Sequence, residues 1–112
     1  MNQPGQVREI GVHEAAARAD EVLLLDVRED DEWAAGHAPD ALHLPLSALD
    51  PAAVPTDRHV VAVCRSGNRS GQAALALAAA GVDVVNMTGG MKAWDDAGLP
   101  MRSGDGAAPR VL

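Results

Sequence analysis

The sequence predicts an α/β domain, a three-layer sandwich in which a mostly parallel five-stranded sheet carries helices on both faces. Three observations lead there. Apolar runs such as Val22-Leu23-Leu24-Leu25-Asp26-Val27 and Val60-Val61-Ala62-Val63 are continuous rather than alternating, as in strands covered on both sides. Stretches of helix-forming composition fall between such runs, so strand and helix alternate along the chain. The 112 residues suffice for one domain with one core, which must be built from Leu, Val, Ile and Ala because Phe and Tyr are absent.

Residues 1–5 read as a flexible arm, and the domain proper is expected over 6–101. Val7 to Ile10 suits a short edge strand, and Val12 to Ala19 has helical composition. Val22 to Val27 reads as a central strand, with Asp26 and Arg28 at its carboxyl end. Glu29 to Ala35 follows as a short helix whose acidic start favours the dipole, stopped by Gly36. His37 to Ala41 is a turn, Leu42 to Leu44 a short strand ended by Pro45, and Leu46 to Leu49 one helical turn before Pro51 and Pro55 break the chain. The strand Val60–Val63 leads through a polar loop into a helix over Ser70–Ala80, capped by Gly81. Val84 to Met87 is a strand, Thr88-Gly89-Gly90 a turn, and Met91 to Ala97 a last helix stopped by Gly98 and Pro100. Residues 102–112 read as a flexible tail.

A net charge of −7, densest at Glu29-Asp30-Asp31-Glu32, argues against nucleic-acid or anionic-membrane partners, which call for a basic footprint. No apolar stretch approaches transmembrane length, and the first residues lack the regions of a signal peptide. A single cysteine excludes an internal disulfide and suits a reducing compartment, so a cytoplasmic location is expected. His13, His37, His43 and His59 show no paired spacing, so no metal site is expected, and nothing calls for a cofactor.

Chemistry concentrates in Cys64-Arg65-Ser66-Gly67-Asn68-Arg69-Ser70. The cysteine stands where a buried strand gives way to a tight loop and a helix N-terminus. There, successive N–H groups form a nest and the helix dipole adds positive charge. Arg65 and Arg69 add full charges, and guanidinium suits oxyanion recognition. Such surroundings bring a cysteine pKa from about 8.5 to between about 3.5 and 7.5, giving an exposed, reactive thiolate. Gly67 permits a backbone angle closed to other residues, and Asn68 either does the same or is simply exposed. Ser70 either caps the helix or turns its hydroxyl toward the sulfur. Asp26 and Arg28 either orient the loop and contact substrate or, the favoured reading, form a buried ion pair. Trp33, Trp94, Met87 and Met91 read as packing residues.

These residues resemble the rhodanese family in its single-domain form, over roughly Gln6 to Met101. Leu24-Leu25-Asp26-Val27-Arg28 with Glu32-Trp33 and Gly36-His37 is similar to the family's N-terminal signature. His37 to Pro45 is similar to its HIPGAINIP stretch, with Asp40 where glycine is usual. Cys64 to Ser70 resembles the active-site loop, and Asn86-Met87-Thr88-Gly89-Gly90-Met91-Lys92-Ala93-Trp94 the C-terminal signature. The six residues from Cys64 to Arg69 resemble the loop of sulfur-transferring members, whereas phosphatase relatives have a longer one. The resemblance implies a thiosulfate sulfurtransferase. A Cys64 persulfide would carry sulfane sulfur from thiosulfate or a similar donor to a thiol or cyanide, with residues 65 to 70 binding substrate. The alternative is a relay module that hands the persulfide to an acceptor protein. Double-domain members have a basic substrate contact at the position matched here by Glu32, so thiosulfate affinity is expected to be modest.

Overall fold

A computed structural model describes residues 7–112. Most of the expected N-terminal domain boundary, the arm 1–5 and Gln6, therefore lies outside the described residues.

Among the described residues, five strands form one sheet: β1 (Glu9–Ile10), β2 (Val22–Asp26), β3 (Leu42–His43), β4 (His59–Val63) and β5 (Val84–Met87). Their order is β1-β5-β4-β2-β3, and every pairing is parallel. The four larger helices are α1 (Val12–Ala17), α2 (Asp30–Ala35), α3 (Asn68–Ala79) and α4 (Gly90–Asp96). The expected turn near Leu46 is a short 3-10 helix, Leu46–Ala48, and a second follows at Pro51–Ala53. The continuous apolar runs are split by the two-residue period of a strand. Leu24, Val61, Val63, Val85 and Met87 pack with Val12 and Ala15 of α1 and Met91 and Trp94 of α4. Leu23, Leu25, Val60, Ala62 and Val84 face the other way, onto Ala73, Ala74 and Leu77 of α3. Both faces are thus covered, as the sandwich reading requires.

Two boundaries differ from the sequence reading in ways that bear on the site. Helix α3 begins at Asn68, with Gly67 as its cap at φ 106°, so Ser70 lies inside the first turn and is no cap. The left-handed conformation at Gly67 lets the chain turn into the helix two residues earlier than composition suggests. The segment after Met101, expected as a flexible tail, lies back along α2. The carbonyls of Ala34 and Ala35 end that helix without intrahelical donors and take the N–H groups of Gly104 (2.8 Å) and Arg110 (2.9 Å). His37 and Arg102 exchange two backbone bonds of 2.8 Å, and Val111 packs against the core. A Cβ on Gly36 would collide with the Arg110 backbone, so glycine is what admits this segment.

Trp94 is buried with its indole N–H on the Pro100 carbonyl (2.8 Å), while half-buried Trp33 stacks between the rings of His37 and His43. Asp40, at the position where the resemblance calls for glycine, holds φ 62°.

Candidate active site

Register brings the two central strands to a common edge, because Asp26 pairs with Val63 and Cys64 follows at once. Beyond that edge the chain wraps over the cysteine. The carbonyls of Cys64 and Arg65 point away from the loop and accept the N–H groups of Met91 (2.8 Å) and Lys92 (2.9 Å) in α4. With the carbonyls held outward, amides face inward. The Gly67 N–H lies 3.0 Å from Cys64 Sγ, and the N–H groups of Ser66 and Ser70 also act on it.

Burial opposes charge on Cys64, yet hydrogen bonds from the Ser70 hydroxyl and from the N–H groups of Ser70, Gly67 and Ser66 outweigh it. The thiol therefore sits below its ordinary range. The expected exposure is not what the geometry gives: Cys64 is 1 % exposed and packs on the α3 side of the core, because the loop closes over its own sulfur. It is both a core thiol by packing and a nested sulfur by its polar contacts.

The two loop arginines are already engaged. Arg69 grips Glu32 with two 2.7 Å bonds, so the position that departs from double-domain relatives holds a loop arginine. Each keeps the other charged. Arg69 draws the Glu32 carboxyl below its ordinary value, and Glu32 pushes the guanidinium higher still. Arg65 is exposed, and its Nε donates to the Leu112 carbonyl at 2.7 Å. Ser66 and Asn68 are exposed on the rim. Asn68 opens the helix with ordinary helical geometry, so Gly67 alone of the two supplies the left-handed angle.

Asp26 and Arg28 form a fully buried pair with bonds of 2.7 to 3.1 Å between their side chains, and Arg28 also donates to the Gly36 carbonyl (2.7 Å). That geometry agrees with the ion-pair reading, since these contacts tie β2 to the end of α2, while Arg28 Nη1 is buried without a hydrogen-bond partner among the described residues.

Residue-by-residue reading overlooked Asn86, which is buried in β5. Its Oδ1 accepts from Ser70 Oγ (2.6 Å), and its Nδ2 donates to the Gly67 carbonyl (3.0 Å) and Glu9 Oε1 (3.1 Å). The available signal was an asparagine inside an apolar strand, since a buried amide requires partners. Gly90, part of the expected turn and of the C-terminal signature, also lets α4 approach the backs of Cys64 and Arg65.

A parallel sheet with one cysteine sulfur held among inward amides at its carboxyl edge defines an α/β domain built to carry charge on that sulfur. The family model described as Rhodanese-like domain matches residues 11–97, and the chain belongs to that family. It is 43% identical over 93 residues to a sulfurtransferase of Allochromatium vinosum, covering 80% of this chain and 87% of that protein. It is 45% identical over 84 residues to an uncharacterized protein of Synechocystis, covering 72% of this chain and 47% of that one, about half the relative's length. The crystal structure of a rhodanese-related protein from Thermoplasma volcanium superposes with TM-score 0.82 at 28% identity, covering 85% of this chain and 97% of that one.

Proposed function

We propose that the protein is a sulfurtransferase that moves a sulfane sulfur from thiosulfate or a similar donor to a thiol or cyanide acceptor through a Cys64 persulfide. The observation that carries this reading is the inward Gly67 N–H, 3.0 Å from a sulfur whose pKa is lowered. In the first step the Cys64 thiolate attacks the outer sulfur of thiosulfate. The new S–S bond forms as the bond to the sulfonate sulfur breaks, and sulfite leaves with the electron pair. The terminal sulfur now carries the negative charge in reach of the loop amides, which supply a few kcal/mol of stabilisation where such donors are preorganised. In the second step the acceptor's lone pair attacks that sulfur and Cys64 departs as thiolate, so the chemistry is ping-pong. No histidine base is required where the nucleophile reacts as its thiolate, the form that the loop amides favour.

Cys64 is only 1 % exposed, so entry of the donor requires the loop that closes over the sulfur to open. Mass spectrometry of the whole protein after thiosulfate tests the reading. Gain of one sulfur atom at Cys64, discharged by cyanide or a thiol and absent in Cys64→Ser, is the expected result. A protein that never gains sulfur, or a Cys64→Ser variant that still turns over, overturns it. Persulfide formation with slow discharge to small acceptors would favour the relay module.

A further inference from the structure

Two acceptors, the Gly67 carbonyl and the Glu9 carboxylate, face the same atom of the Asn86 amide at 3.0 and 3.1 Å. Neither can donate, so that atom is the nitrogen and the orientation of the amide is fixed. Its oxygen therefore faces Ser70 Oγ at 2.6 Å, and an amide oxygen only accepts. Ser70 Oγ also lies 3.2 Å from Cys64 Sγ. A hydroxyl carries one hydrogen, and two acceptors compete for it.

We propose that Asn86 is a positioning residue that holds the Ser70 hydrogen away from Cys64, so that Ser70 donates to the sulfur only by giving up Asn86. With Cys64 as a thiol, the S–H faces a Ser70 lone pair and the chain runs Cys64 to Ser70 to Asn86. With Cys64 as a thiolate, the hydroxyl swings to the sulfur, and the buried amide oxygen loses a short bond. Once charge has passed to the outer sulfur of a persulfide, the hydroxyl returns to Asn86. The arrangement holds back the fall in thiol pKa that the amides produce. A thiolate of very low pKa is a poor nucleophile, so this restraint preserves reactivity.

The other charged groups around the sulfur have partners of their own, and of these Arg69 also acts on Cys64 through its charge. Arg65 is turned to the Leu112 carbonyl, Arg69 is paired with Glu32, Lys92 of α4 faces Asp96, and Glu9 of β1 acts only through Asn86. The buried Asp26–Arg28 pair at the end of β2 neutralises itself.

The inference rests on Cys64 serving as a thiolate nucleophile, and it is tested without any sulfur donor, so the two fail separately. The Cys64 pKa is read from thiolate absorbance and from the pH dependence of iodoacetamide alkylation in the full chain. Asn86→Val frees the hydroxyl and should raise the thiolate fraction below the pKa about three- to tenfold. A loop loosened by loss of the Gly67 contact would relieve burial and can also raise that fraction, so the gain is assigned to the hydroxyl by removing it, and a gain that survives Ser70→Ala overturns the proposal. Ser70→Ala in the otherwise unaltered chain should lower the thiolate fraction, but less than threefold because the hydrogen removed is held mainly by Asn86, and in the Asn86→Val background it should cancel the gain. An unchanged or raised pKa in Asn86→Val overturns the proposal. So does a tenfold loss of thiolate in Ser70→Ala alone, a result that decides the matter even if Asn86→Val does not fold.

Discussion

The carbonyl of Cys64 accepts the N–H of Met91 at 2.8 Å, so α4 grips the reactive loop from behind while the sulfur faces the opposite way. This bond and its neighbour from Lys92 to Arg65 set which way the peptide planes of the loop point, and hence whether amides or carbonyls face Sγ.

Gly90 is where that grip is most easily broken. It holds φ 59°, and a Cβ there would collide with the carbonyl oxygens of Cys64 and Arg65, which are backbone atoms with nowhere to go. Gly90→Ala should cost about 2–4 kcal/mol, combining an unfavourable left-handed residue with overpacking. It should also raise the Cys64 pKa and remove sulfur transfer. Urea denaturation and an alkylation profile measure the two effects. A Gly90→Ala protein of unchanged stability and reactivity would show that α4 does not orient the loop.

Most of the fold was legible because local signals agreed. Buried strands were apolar throughout, and Gly36, Gly81 and Gly98 marked element ends. Cys64 was legible for the opposite reason, as a reactive residue at the polar exit of an apolar strand. What escaped depends on contacts between distant positions. Asn86 and Ser70 lie sixteen residues apart and meet only because β5 and α3 pack on the same edge. The docking of residues 102–112 turns on carbonyls at the end of α2, and a tail rich in Gly and Ala gives no hint of it. The shift of the α3 start to Asn68 follows from one dihedral angle at Gly67, which composition does not encode.

The Asp26–Arg28 pair allows a stability prediction that is separate from chemistry. Both side chains are essentially inaccessible, and their bonds are 2.7 to 3.1 Å. Arg28→Met strands a buried carboxylate and should cost about 3–5 kcal/mol, whereas Asp26→Leu combined with Arg28→Met should recover much of that loss. Denaturation midpoints of the single and double variants decide it. Equal losses in both would show that the pair's attraction matters more than the isolated charge.

Arg65 lies on the exposed rim, and under the proposed function its charge attracts an anionic donor without entering the reaction. Arg65→Ala should raise the thiosulfate KM about three- to tenfold and leave kcat nearly unchanged, with the difference shrinking as salt is added. Steady-state kinetics at two ionic strengths read this directly. A fall in kcat at constant KM would instead place Arg65 in the transition state.

Glu32 links the loop to acid stability. Its pKa is lowered from 4.5, chiefly by the side-chain hydrogen bond from Arg69 and against the opposing effect of burial. A carboxyl lowered by folding contributes stability that is fully present above the unfolded value of 4.5 and lost as pH falls through the folded one. Arg69 is 36% exposed, so screening by solvent limits the contribution to about 1 kcal/mol. Glu32→Gln should therefore be less stable than the parent protein at pH 7, and the two should converge as pH drops below 4.5. Thermal melts across pH 3 to 7 would show a gap that closes toward acid. A gap that stays constant would mean that Glu32 acts through packing and that its charge plays no part in holding Arg69 beside Cys64.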